Sequence, residues 1–256
     1  MSETSLTIIP LGGLPMVKPG DDIARLLVEA LERGGIAPGA FDILVVTQKI
    51  VSKSEGQLVD LRTVEPSARA LELARITDKD PRLVELVLSQ SVAVLRTKPN
   101  VLIVETLQGL VMANAGIDQS NLDAGEAGGN VLLLPVDADA SAMRIKARLD
   151  AHFGTSLGVI ISDSVGRAWR LGTVGLAIGA AGVPSLIDRR GEADLAGRPL
   201  QTTEVGFADA VAAAAVLVMG EAAEGRPAAL VRGLSCDAKP QPAKHLQRPR
   251  AEDLFR

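Results

Sequence analysis

The stretch ASAMRIKARLDAHFGTSLGVIISDS, residues 140–164, decides the fold class. Residues 140–153 predict an amphipathic helix, with Met143, Ile145, Ala147 and Leu149 set among polar residues. Residues 157–162 are a hydrophobic strand that runs directly into Asp163-Ser164. The same alternation extends outward. Residues 6–9 read as a short strand stopped by Pro10, and 21–33 as a helix capped by Asp21 or Asp22 and ended by Gly34-Gly35. Ile23, Leu26, Leu27, Ala30 and Leu31 fall on one face of that helix. Residues 41–47, 92–95, 101–105, 131–134 and 228–231 read as strands, and 110–113 as a further apolar piece. Residues 67–77, 81–90 and the Ala-rich 203–219 read as helices; 174–180 is apolar and rich in Gly. This pattern predicts an α/β (mixed α+β) fold of layered mixed sheets with flanking helices. From Ser235 the chain turns polar, with Pro240, Pro242 and Pro249. The expected organisation is a folded domain over 1–234 and a poorly packed tail over 235–256, with a short helix near 251–255.

Composition excludes several classes. Hydrophobic residues make up 47% and charged residues 23%, the balance of a folded protein. Aromatics are 2% with no Tyr, so stacking platforms for single-stranded nucleic acid are disfavoured. A net charge of -4 offers no general basic field, so no nucleic-acid partner is expected. Cys236 is the single cysteine, which rules out an internal disulfide and a multi-cysteine zinc site. Met1-Ser2-Glu3-Thr4-Ser5 lacks the features of a signal peptide, and no apolar run reaches bilayer length. A cytoplasmic protein without a membrane partner is the expectation.

Familiar catalytic signatures are missing. There is no Gly-x-x-x-x-Gly-Lys-Ser/Thr phosphate loop and no Gly-x-Gly-x-x-Gly after the first strand. The two histidines, His152 and His245, fall in a helix's last turn and in the tail, which disfavours a His-based triad. Carboxylates near strand ends remain. Asp163 follows residues 159–162, where a side chain would point into the crevice of an α/β sheet. A turn residue or helix cap is the competing reading. Ser164 adds a hydroxyl; Arg167 and Arg170 add cations around Trp169, which reads as packing. Carboxylate plus hydroxyl suits magnesium or manganese, and arginines suit phosphate or carboxylate oxygens. Asp118 follows the small residues Ala115 and Gly116 and is flanked by Asn114, Asn121 and Asp123. Its Asp-x-Ser-Asn sequence reads equally as a turn. The polar segment 48–55 carries Lys49 and Lys53, suited to phosphates or simply solvated. Glu221 and Glu224 sit at the negative end of the Ala-rich helix and call for a compensating cation.

In order along the chain come Gly13-Leu14-Pro15-Met16-Val17, Val51-Ser52-Lys53-Ser54-Glu55-Gly56, residues 114–121, and Ile161-Ser162-Asp163-Ser164 with Gly166, Arg167 and Arg170. Gly175-Leu176-Ala177-Ile178-Gly179, Met219-Gly220-Glu221 and Val231-Arg232-Gly233-Leu234 follow. Together these resemble the coenzyme F420:L-glutamate ligase family (F420-0:gamma-glutamyl ligases), in its short form without a fused nitroreductase domain. The resemblance runs from about residue 8 to residue 234. It implies an enzyme that forms an amide between L-glutamate and coenzyme F420-0, adding further gamma-linked glutamates. GTP would drive the reaction through an acyl phosphate, releasing GDP and phosphate. It implies Asp118 and Asp163 as ligands of one magnesium or manganese ion and Ser164 and Glu221 as ligands of a second, with potassium as a further ion. GTP contacts would fall on Leu14, Pro15, Met16 and Val17, on Gln48, Lys49, Lys53 and Asn121, and on Met219, Gly220, Glu221, Ala222, Ala223, Glu224, Gly225 and Arg226. The family implies a homodimer; FMN is not expected. Arg167 and Arg170 are added from their own chemistry, as catalytic candidates to hold substrate phosphate or carboxylate. Three departures stand out: Gln48-Lys49 where small hydroxyl residues are common, Ser164 for the usual Thr, and Val165 for a polar residue. Rival readings are the same scaffold acting on a different phosphorylated acid, a non-catalytic GTP- or F420-binding module, and a structural oligomer subunit.

Overall fold

Ile43, Leu44, Val45 and Val46 are all buried, so this run packs on both faces, as a central strand of a covered sheet must. The computed structural model, which describes residues 5–120, 129–234 and 237–254, places it there. The first half of the chain supplies β1 (Thr7–Leu11), α1 (Ile23–Arg33), β2 (Ile43–Thr47), α2 (Gln48–Ser54) and β3 (Leu58–Asp60). Then come α3 (Ala68–Thr77), α4 (Pro81–Ser89), β4 (Ser91–Lys98), β5 (Val101–Thr106) and β6 (Val111–Ala113). The second half supplies β7 (Asn130–Leu132), α5 (Ala138–Phe153), β8 (Gly158–Gly166) and β9 (Thr173–Ala181). It ends with β10 (Leu186–Asp188), β11 (Glu204–Gly206), α6 (Phe207–Met219) and β12 (Ala228–Arg232). The expected mixed α/β class is the class observed.

The main sheet has the order β1-β12-β2-β8-β9. Only β2 and β8 run parallel; the other neighbours are antiparallel. Helices α1 and α5 cover one face, packing Leu27, Leu31, Ile145 and Leu149 on Leu44, Val46, Val159 and Ile161. Helix α6 covers the other, packing Val211, Ala212 and Ala215 against Ile43, Val45, Ile160 and Val231. Asp22 caps α1, its carboxylate accepting from the Arg25 amide at 3.1 Å. Gly179 on β9 lies under the first turn of α5: a Cβ there would come within 2.3 Å of the Ala138 carbonyl oxygen. The smaller unit sets α3 and α4 on the sheet β4-β5-β6, around Leu73, Val84, Val87, Leu102 and Val104. Met112, Leu134 and Val165 form a small apolar joint between it and β8.

The structure corrects several readings. Pro10 does not stop β1 but sits inside it, opposite Ala229; β1 is an edge strand, where a missing N–H costs little. The polar segment 48–55 is not a loop but α2, whose inner face is Gln48, Ile50, Val51 and Ser52. β8 does not end before Asp163; it continues to Gly166 in a hairpin with β9. Residues 204–206 are strand rather than the start of the Ala-rich helix. On α5, Met143 and Ala147 face solvent, and Ala138, Ala142, Ile145 and Leu149 face the core. Within the largely exposed segment after Cys236, residues 241–243 are anchored: Ser185 Oγ donates to the Gln241 carbonyl at 2.8 Å, and the Ala243 amide donates to Asp139 Oδ1 at 2.7 Å. Its last turn is a short 3-10 piece at Arg250–Glu252, and Phe255 lies outside the described residues. No helix among the described residues is long and apolar enough to cross a membrane.

Candidate active site

Sheet register brings distant segments to one edge. Leu11 pairs with Ala228, Ala228 with Val46, and Thr47 with Ser162. The chain therefore leaves β1 toward Leu14 where it leaves β2 toward Gln48. It enters β12 from the 219–227 loop at the same level, and passes Asp163 on β8. The Thr47 amide donates to the Pro227 carbonyl at 2.9 Å, closing this edge. Ligands of open α/β sheets bind in such crevices. Of the first segment, Val17 is buried in the core with Leu14 packed against it, and Pro15 and Met16 are exposed. Two other clefts lie elsewhere. The larger, about 660 Å³, is lined by Met143, Lys146, Asp150, Gly182 and Pro240, at the opposite edge of the sheet.

Asp118 faces this edge from the smaller unit. Its amide and carbonyl exchange hydrogen bonds with Leu132, both at 2.9 Å. The turn before it is left-handed at Asn114 (φ 51°), Ala115 (φ 55°) and Gly116 (φ 70°). Only Gly fits the third position: a Cβ there would lie 2.8 Å from Leu134 Cδ1. The Asn114 Oδ1 is buried without a hydrogen-bond partner among the described residues. Asp118 Oδ2 pairs with Lys49 Nζ at 2.7 Å, and Oδ1 accepts from the Ser120 amide at 2.7 Å and hydroxyl at 2.8 Å. Burial acts to raise this carboxyl, but Lys49 and the two Ser120 donors outweigh it and hold it below the usual range.

Asp163 has the opposite environment. Burial pushes it up to about 6, and the Asp118 charge adds to that. The Ser164 amide, the Lys49 charge and the Gln48 side chain only partly oppose the rise. Gln48 is 1% exposed; its Oε1 accepts from Ser52 Oγ at 2.8 Å, while Nε2 lies near Asp163 without meeting hydrogen-bond geometry. A buried donor left unmade costs about 1–3 kcal/mol unless a ligand satisfies it.

Strand alternation separates Asp163 from Ser164. Asp163 shares a face with Ile161 and Val165, toward α1, α5 and the smaller unit. Ser164 shares the other with Ile160, and pairs with Gly175, whose Cα lies against the Ala212 backbone of α6. Helix α6 ends at Met219 and Gly220, and Glu221 follows, exposed. Ser164 and Glu221 thus belong to the α6 side of the edge, Asp118 and Asp163 to the other. No three carboxylate, His or Cys side chains gather as a metal centre among the described residues. What gathers is a pair of carboxylates with a serine hydroxyl and an amide, a hard-oxygen set suited to magnesium or manganese.

The 219–226 loop is self-bracing. The Ala222 amide donates to Glu224 Oε2 at 2.8 Å, and Arg226 reaches back to the Val218 carbonyl at 3.4 Å. Arg226 is the cation that the acidic helix end called for. Ala223 and Gly225 are exposed. Lys53 lies one turn after Lys49 on α2, on the same side of that helix. Arg167 and Arg170 are not brought to the carboxylate pair; both lie exposed at the β8–β9 hairpin tip, where Arg167 donates to the Gly172 carbonyl at 3.1 Å. Trp169, expected to pack, is 89% exposed. His152 pairs with Glu32 at 2.9 Å on the surface. Asn121 lies outside the described residues. Sequence reasoning missed Ser120, which orients Asp118. The Asp-x-Ser spacing was its signal, visible only as a turn.

The profile of the family F420-0:Gamma-glutamyl ligase matches residues 13–233. The "Coenzyme F420:L-glutamate ligase" of Methanothermobacter thermautotrophicus is 46% identical, over 98% of this chain and 99% of its own length. Proteins of the same name from Methanopyrus kandleri and Methanocaldococcus jannaschii are 43% and 42% identical, over 96% and 95% of this chain and 100% and 94% of theirs. The chain belongs to the F420-0:gamma-glutamyl ligase family.

Proposed function

We propose that this chain is a ligase that joins L-glutamate to coenzyme F420-0, driven by GTP and dependent on divalent metal. The observation that carries the site is the convergence of Leu14, Gln48, Asp163 and the 219–227 loop on one sheet edge, with Asp118 facing them. The substrate identities rest on the relatives' names; GTP rests on the family resemblance. Asp118 and Asp163 would hold one magnesium or manganese ion and Ser164 and Glu221 a second, with potassium as an additional ion. Bound metal supplies charge neutralisation on phosphate oxygens, the main requirement of phosphoryl transfer.

The chain's own residues do the rest. Lys49 and Lys53, on one side of α2, would meet phosphate oxygens. The exposed backbone of Ala222, Ala223 and Gly225, braced by Glu224 and Arg226, offers a rim for the nucleotide. The reaction transfers the γ-phosphoryl group to the acceptor carboxylate; the glutamate amine then attacks the acyl phosphate, forming the amide and expelling phosphate. Arg167 and Arg170, exposed on the hairpin, would hold a substrate anion after the hairpin meets ligand or a second copy. A homodimer is part of the same reading, supported by the apolar side chains left exposed at Trp169, Leu171 and Leu195.

The test is mass spectrometry of products from F420-0, L-glutamate, GTP and manganese. Glutamylated F420 with stoichiometric GDP is expected. GDP release only with a different phosphorylated acid would move the acceptor. Nucleotide binding without turnover on any acceptor would overturn the enzyme reading.

A further inference from the structure

We propose that Lys49 is a tethered cation that occupies the Asp118 carboxylate until a divalent ion replaces it, and that its release delivers the ammonium to a nucleotide phosphate. The inference rests on the metal reading above and goes one step past it, since that reading makes Lys49 only a nucleotide contact.

Four contacts carry it. Lys49 Nζ lies 2.7 Å from Asp118 Oδ2 and donates to Ser120 Oγ at 2.7 Å. The Ser120 hydroxyl in turn donates to Asp118 Oδ1 at 2.8 Å, and the Ser120 amide binds the same oxygen at 2.7 Å. Oδ1 is thus filled by donors that never need to leave. Oδ2 is held by Lys49, whose flexible stem lets it leave. A divalent ion on Oδ2 would put two full charges beside an ammonium already at contact distance, in a partly buried setting where such repulsion is weakly screened. Both cations cannot occupy that oxygen together.

The Asp118 charge reaches Asp163, and the Lys49 charge reaches both carboxylates. Its four-carbon stem lets Nζ swing by several ångströms while α2 stays packed through Ile50 and Val51. A polyanionic nucleotide then offers the displaced ammonium a new partner. Metal entry and phosphate binding become one exchange: the divalent ion takes the carboxylate, the lysine takes the phosphate.

The experiment is calorimetric titration of Mn2+ into the full chain without nucleotide, for wild type, Lys49→Ser, Lys49→Arg and Asp118→Asn. GDP is then titrated at saturating Mn2+. Lys49→Ser is expected to bind Mn2+ about tenfold more tightly, the order of one lost competing ion pair. Lys49→Arg should stay near wild type, and Asp118→Asn should lose a Mn2+ site. GDP should bind several-fold more weakly to Lys49→Ser. If Lys49→Ser binds Mn2+ no more tightly than wild type while Asp118→Asn still loses a site, the exchange is overturned and the metal site stands. If Asp118→Asn binds Mn2+ as wild type does, the metal reading fails and the exchange fails with it. Thermal melts in chelator check that each variant is folded.

Discussion

Asp163 rides on the central sheet and Asp118 on the smaller unit, and the two regions treat a carboxylate in opposite ways. The sheet holds Asp163 on a strand opposite Leu176 of β9, with an unpartnered Gln48 amide near it and no ion pair among the described residues. The smaller unit holds Asp118 after a left-handed turn and surrounds it with a lysine and two donors from Ser120. One carboxyl is pushed up to about 6, mainly by burial; the other is held down by its partners. A structural ion pair would satisfy both groups. A carboxyl raised by desolvation beside one lowered by its partners is the opposed pairing that functional sites collect.

The largest expected effect tests the sheet side. Asp163→Asn should lower turnover about 10²-fold or more, measured as GDP release, because it removes charge where phosphoryl transfer needs it. It should also stabilise the metal-free protein at neutral pH. A folded-state value near 6 against 3.8 unfolded means that the native state binds more protons between those limits. Wild-type stability in chelator should therefore fall as pH rises from about 4 to about 6 and level off above. Asp163→Asn should flatten that fall and melt higher above pH 6, by roughly a few degrees.

Asp118→Asn is the contrasting variant. Its lowered carboxyl contributes stability above the unfolded value of 3.8, lost as pH falls through the lower folded value. Turnover should drop comparably, but melting in chelator at pH 7 should fall, by about 1 kcal/mol or less for a partly exposed pair. If both Asn variants shift the melting temperature in the same direction, the contrast between the two regions is wrong.

The smallest effect sharpens the turn that carries Asp118. Asn114→Ala should cost about 1 kcal/mol, because Ala resists the left-handed conformation that Asn tolerates. Asn114→Gly should recover most of that loss in a melt. If the buried Oδ1 meets ligand, KM should rise alike in both variants. A KM rise confined to Ala would make Asn114 purely a backbone residue.

Much of the fold was legible because it rests on neighbours in sequence. Asp22 announces α1 by capping it, and the double-faced burial of β2 shows in the unbroken run Ile43-Leu44-Val45-Val46. The motif around Asp163 was legible as chemistry, and the family resemblance, now matched over residues 13–233, supplied its context. Helix α2 was not legible, because a buried Gln48 held by Ser52 looks like a polar loop until its surroundings are known. Trp169 misled for the converse reason: an aromatic ring predicts burial, yet the hairpin carries it beyond the sheet.

The sequence by itself determined most of the helices and strands, which carboxylates stand near strands, and to which family the residues belong. Capping, periodicity and motif order are local or collinear properties, so they can be read without coordinates. Only the tertiary structure decided that Leu11, Ala228, Thr47 and Ser162 share one sheet edge, and that Asp163 and Ser164 face opposite sides of it. It alone decided that Lys49 rests on Asp118. Strand order and register depend on which buried faces meet across long separations, and an ion pair depends on the distance that results.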